Sequence, residues 1–175
     1  MIKLIDDARE LTRSRASFGE EARRLGDTVL KSDAFRVLVL QRARERLGWL
    51  GVPLAGHLLR ITATALYGIE IGRDARLGRG VNFVHPVGIV VGGTSVVGDR
   101  VTFFGCNTLG TVHGEGYPTI EEDVVIGAGA RILGNVRIGA RSEIGANAVV
   151  LRDVPPDSVA YGVPAIVRPK KARGS

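Results

Sequence analysis

Cysteine is almost absent: Cys106 is the only one in 175 residues. No internal disulfide can form, and a reducing compartment is expected. Cys106 itself is expected to be a small packed residue. Aromatic residues make up 5% of the chain and histidines number three. With no zinc-finger, homeodomain or RNA-recognition signature, nucleic acid is not an expected partner, despite a net charge of +6 and a pI near 10.1. An anionic small molecule accounts for that charge equally well. No apolar run approaches the roughly 20 residues that cross a bilayer. The opening MIKLIDDARE carries acids at once and lacks the apolar core of a signal peptide, so a cytoplasmic protein is expected.

Glycine, in contrast, is plentiful at 24 residues, and its recurrence is regular. From Ile71 onward an aliphatic residue returns every sixth position, at Ile71, Leu77, Val91, Val97, Leu109, Ile120, Ile126, Ile132, Ile138, Ile144 and Val150, with Phe83 and Phe103 at two further steps. Glycine often follows at once. Four places after most of these comes a small or β-branched residue, among them Ala75, Val81, Val87, Ser95, Val101, Ala130 and Ala148. This hexapeptide period predicts a mainly β protein, a left-handed parallel β-helix of about five coils with three short strands to a coil.

Three regions are expected: an N-terminal helical region over 1–66, the β-helix over 67–165 and a basic C-terminal tail over 166–175. Apolar spacing around Phe35, Val37, Leu38 and Leu40, and again around Leu58, Leu59, Ile61 and Ala65, predicts two helices broken near Gly51-Val52-Pro53. A further helical stretch is expected around EEARR in the first 33 residues. Trp49, Leu50 and their neighbouring arginines would suit either packing on the prism or a neighbouring subunit, or peripheral membrane contact.

The period breaks twice, by two residues between Phe83 and Val91 and by five between Leu109 and Ile120. Breaks in a repeat map to loops on the working face, and each carries a histidine, His85 or His113. Counting three units to a coil puts Ile71, Val91, Leu109, Ile132 and Val150 on one face. Leu77, Val97, Ile120, Ile138 and Pro156 fall on the second, and Phe83, Phe103, Ile126, Ile144 and Gly162 on the third. Two places into the third-face units stand His85, Gly105, Ala128, Ala146 and Pro164. A histidine heading a line of small residues suits a long thin ligand, and from His85 to Ala146 is roughly 14 Å at the inter-strand spacing. Arg152, Arg168, Lys170 and Lys171 lie toward the far end. A thioester at one end, an amide arm and phosphates at the other describe an acyl-coenzyme A.

Residues 70–170 resemble the catalytic domain of serine O-acetyltransferases and related hexapeptide acyltransferases. The resemblance rests on GIEIGRDARLGRGVNFVHPVGIVVGG, then TLGT, YPTI, VVIGAGARILGN and GVPA. It implies acetyl-CoA as co-substrate, His85 as catalytic base, Glu70 as the acid paired with it, and coenzyme contacts near Gly110, Thr111, Ala128 and Ala146. It also implies a homotrimer, in which the loop from Thr111 to Thr119 of one subunit would meet the histidine column of the next.

Four positions depart from the serine enzymes: Val84 and Gly93 replace acids, and Gly116-Tyr117 replaces an Arg-His pair. Because those groups would hold an amino acid, and because GYPTI resembles the colanic-acid type of exopolysaccharide acetyltransferase, a sugar or glycoside hydroxyl is the expected acceptor, with Tyr117 and His113 as its contacts. Serine O-acetylation is the enzymatic alternative, and a non-catalytic scaffold a second. His85 would take the hydroxyl proton, and backbone N–H groups near Gly105 or Thr111 are candidates to hold the oxyanion. No metal is expected, since His85 and His113 are two prism ligands where a zinc site needs at least three.

Overall fold

Aliphatic side chains at every sixth residue are all buried together if the chain turns one corner per six residues, closing a coil after three. The computed structural model, which describes Asp7 and residues 32–170, shows this arrangement. Among the described residues two helices, α1 (Asp33–Trp49) and α2 (Pro53–Tyr67), precede fifteen strands, β1 to β15. They break at Gly51, which has φ +73°, and Ser32 caps α1 by accepting from Phe35 N–H at 3.3 Å. The EEARR stretch lies outside the described residues.

The strands stack as a left-handed β-helix of about five turns. The first sheet is β1 (Glu70–Ile71), β4 (Val90–Val91), β7 (Thr108–Gly110), β10 (Arg131–Leu133) and β13 (Val149–Val150). The second is β2 (Arg76–Leu77), β5 (Val96–Val97), β8 (Thr119–Ile120) and β11 (Arg137–Ile138). The third is β3 (Asn82–Phe83), β6 (Thr102–Phe103), β9 (Val125–Ile126), β12 (Glu143–Ile144), β14 (Ser158–Tyr161) and β15 (Ile166–Pro169), the last antiparallel to β14. The inward residues of the three expected faces are buried from Ile71 to Val150, and the Phe83 and Phe103 rings meet at 5.3 Å between centroids.

The final coil departs from the strict count. Val154, not Pro156, pairs over Ile138, and Ala160, not Gly162, pairs over Ile144. Val154 follows Val150 by four positions instead of six, because Pro155 and Pro156 have no N–H to extend the ladder and the chain turns early. The column of small residues therefore ends on Gly162, whose carbonyl accepts from Val149 N–H at 3.0 Å, rather than on Pro164.

A stacked helix leaves unpaired backbone at its first coil. Here α1 covers that edge. Arg44 donates to the carbonyls of Ile71 and Gly72 at 2.7 and 2.8 Å, and Arg42 donates to those of Leu77 and Gly78. Asp7, fully buried, accepts from Arg42 Nε at 2.9 Å and from Gly80 N–H at 2.7 Å. Burial works against the Arg42 charge, but the hydrogen bond and attraction of Asp7, then Glu45, outweigh it and raise its pKa.

At the corner between the second and third sheets, Arg100, Asp123, Arg141 and Asp157 all take left-handed backbone. Arg100 pairs with Asp123, and Arg141 with Asp157 at 2.7 Å. The carboxyls of Asp123 and Asp157 are lowered in pKa by these hydrogen bonds, and Asp99 by the Arg79 backbone N–H. A depressed folded-state pKa means the stabilisation is present above the unfolded value near 4 and is lost as pH falls through the folded one. The urea midpoint is thus expected to fall below about pH 4, and Asp123→Asn to flatten that fall.

Candidate active site

The corner between the third and first sheets carries the histidine, and its local register explains how. Cys106 N–H donates to Val87 O at 3.0 Å, in the same pattern by which Gly129 N–H donates to Gly105 O and Asn147 N–H to Ala128 O. Val87 therefore occupies the repeat position, and the two extra residues are His85 and Pro86 themselves. The column is Val87, Gly105, Ala128, Ala146 and Gly162, with His85 bulged beside it. This corrects the expectation that His85 heads the column. It also explains why Val87 is 65% exposed, like Ala128 and Ala146 in the same column, and unlike the buried Val81 and Val101 with which a strict count of six groups it.

The bulge folds back on the next coil. A Cβ on Gly105 would lie 2.9 Å from His85 O and 3.2 Å from His85 Cβ, so only glycine allows the approach, and its φ of +125° is one glycine adopts readily. Gly105 is buried beneath His85, whereas the His85 side chain, Ala128 and Ala146 are exposed. The imidazole makes no hydrogen bond among the described residues. Glu70 sits on β1 opposite Val90, 56% exposed, and its ion-pair partner is Arg60 at 3.9 Å rather than His85. Val84 and Phe104 flank the histidine as exposed apolar side chains on adjacent coils, joined by the Val84 N–H to Phe103 O bond of 2.8 Å.

Above Ala146, Tyr161 packs on Gly145, and the Arg168 guanidinium lies 5.9 Å over the Tyr161 ring. That puts Arg168 at the upper end of the column. Lys170 is directed elsewhere: its ammonium pairs with Glu143 at 2.6 Å and donates to Arg141 O at 3.2 Å.

Gly110, Thr111, His113 and Tyr117 belong to the corner between the first and second sheets, away from His85 within one chain. Gly110 ends β7, and its carbonyl accepts from Gly134 N–H at 2.9 Å. The Thr111 hydroxyl is buried and has no partner among the described residues. His113 is exposed with φ +51°, on a turn closed by Glu115 N–H to Val112 O at 2.9 Å. The Tyr117 ring lies on Gly92 and Gly93: a Cβ on Gly92 would sit 2.9 Å from Tyr117 Cε1, and one on Gly93 would penetrate the ring. Gly93 and Tyr117 are thus one packed unit. Gly93→Ala is expected to cost about 1–3 kcal/mol by overpacking. In a Tyr117→Ala background the cost should be smaller, as urea unfolding of the four variants would measure.

Two side chains near the column escaped the sequence reading. Arg131 donates to the carbonyls of Cys106 and, at 3.1 Å, Gly129. Asn107 is wholly buried, accepts from Gly105 N–H at 3.0 Å and donates to Gly127 O at 2.7 Å. The Gly105 N–H is therefore engaged and is not an oxyanion donor. Cys106, expected to be packed, is exposed. Among the described residues no three histidine, cysteine or acidic side chains cluster as metal ligands, and no helix is long and apolar enough to cross a membrane.

A model of the bacterial transferase hexapeptide (six repeats) matches residues 117–152. The chain is 40% identical over 144 residues to a serine acetyltransferase of Synechococcus elongatus, covering 81% of this chain and 59% of the relative. It superposes on a soybean serine acetyltransferase solved with serine at a TM-score of 0.80 and 33% identity, covering 95% of this chain and 67% of that one. It also superposes on a serine acetyltransferase complex with CoA at a TM-score of 0.81 and 32% identity, covering 95% and 68%. The chain thus spans about three fifths of the length of the Synechococcus relative. These relatives overturn the expectation of a glycosyl acceptor, and none of them supports kinship with the exopolysaccharide enzymes. Two of the four substitutions that suggested such an acceptor, at Gly93 and Tyr117, are a mutually packed pair, not two independent losses. The chain belongs to the serine acetyltransferase family of hexapeptide-repeat transferases.

Proposed function

We propose that this chain is a serine O-acetyltransferase that moves an acetyl group from acetyl-CoA to the hydroxyl of L-serine, with His85 as general base. The observation that carries the reading is the His85 bulge seated on Gly105 beside an exposed column of small residues, in a chain 33% identical to a serine acetyltransferase solved with serine. The thioester would lie at His85, the amide arm along Ala128 and Ala146, and the phosphates toward Arg168. Lys170 would reach them only by leaving Glu143.

His85 takes the serine hydroxyl proton as the oxygen attacks the thioester carbonyl. The tetrahedral adduct collapses, the carbon–sulfur bond breaks, and the departing CoA thiolate receives the proton from the imidazolium. Glu70 is the acid assigned to orient the imidazole. Its exposed ion pair with Arg60 is worth about 0–1 kcal/mol, which is no barrier to that role. With Gly105 N–H engaged, the Thr111 region of a neighbouring subunit is the remaining candidate for the oxyanion donor. A homotrimer would bring the Gly110, Thr111, His113 and Tyr117 corner of one subunit to the His85 corner of the next, making three shared sites. The cytoplasm, where acetyl-CoA and free serine meet, is the compartment this activity requires.

Thiol release from acetyl-CoA with and without L-serine tests the reading. Release that rises with serine and saturates supports it; release indifferent to serine overturns serine as acceptor.

A further inference from the structure

The position two residues before the inward aliphatic of the first sheet is filled by Ile69, Ile89, Asn107, Ala130 and Ala148 in successive coils, all buried. Asn107 is the one amide in an otherwise apolar row. A buried amide offers little net stability even when both its ends are bonded, and alanine serves the same place one coil above. The amide must answer to something other than core packing.

Its two bonds run to the two walls of the candidate site. Through Oδ1 it fixes Gly105, the glycine on which the His85 backbone rests; through Nδ2 it fixes Gly127, which precedes Ala128. These walls lie on successive coils, and no other side chain among the described residues bonds both. We propose that Asn107 is a positioning residue that sets His85 relative to the acyl-CoA column, with the Oδ1 bond governing the histidine and the Nδ2 bond governing the column. The proposal rests on reading this corner as the acyl-transfer site.

Two variants separate the bonds. Asn107→Ala adopts the residue that the next two coils carry at this place and should fold. It should lower kcat by about 10- to 100-fold, the scale of a small misplacement in a positioned reaction, and raise KM for acetyl-CoA. Asn107→Asp keeps an acceptor for Gly105 N–H and loses the donor to Gly127 O, so kcat should recover toward wild type while KM stays high. CoA affinity by titration calorimetry should weaken in both. Unchanged kcat and KM in folded Asn107→Ala, or equal losses of kcat in the two variants, overturn the proposal alone. Wild-type protein that neither binds CoA nor releases thiol overturns the function reading, and this proposal with it.

Discussion

His85→Ala is expected to lower serine-dependent thiol release by about 100- to 10,000-fold, the contribution of a positioned general base. The bulge of His85 and Pro86 leaves the imidazole exposed and without a hydrogen bond among the described residues, available to a hydroxyl. Removing the ring leaves the backbone that packs on Gly105 in place, so unfolding behaviour and CoA binding should stay near wild type. Steady-state rates at saturating acetyl-CoA, with calorimetric CoA binding alongside, check this. Activity retained within a few fold would remove His85 as the base and point to water or to a neighbouring subunit's His113.

The second large effect is structural. Arg42→Leu should destabilise the fold by about 3–5 kcal/mol, because it leaves the Asp7 carboxylate buried without its cation and uncovers the carbonyls of Leu77 and Gly78. Against a total stability of about 5–15 kcal/mol for a domain, that is a large share. Asp7→Leu combined with Arg42→Leu should cost less than the sum of the single changes, since neither partner is then stranded. Urea midpoints of the three variants give the coupling, and strict additivity would mean the pair does not act as one unit.

Much of the fold was legible because the repeat writes burial directly into the sequence: an inward aliphatic at each sixth residue needs no knowledge of distant partners. The two helices were legible for the same reason, with Gly51 and Pro53 marking the break. The end of the prism was misjudged because a count of six continues blindly through Pro155-Pro156, where the missing N–H groups shorten the coil. The edge cover was invisible because Asp7 and Arg42 are 35 residues apart in sequence and reveal their pairing only when folded.

At the site, both histidines were found from breaks in the period, but His85 was counted into the column rather than into the bulge. Pro86 was the available signal, since a proline at a repeat corner marks inserted chain. Asn107 could also have been found, as the one amide in a row of Ile and Ala. The acceptor was misread through Gly93 and Tyr117. Taken singly they look like lost polar groups, whereas in the fold the ring occupies the space that any side chain at 93 would need.

The most direct test follows the acetyl group itself. Wild-type protein is incubated with isotope-labelled acetyl-CoA and L-serine, and both the small molecules and the intact protein are weighed by mass spectrometry. The account predicts labelled O-acetyl-L-serine accumulating with unlabelled protein, and no product from His85→Ala. Label held on the protein, for instance at the exposed Cys106, or no acetylserine at all, would contradict direct transfer to serine at the His85 corner.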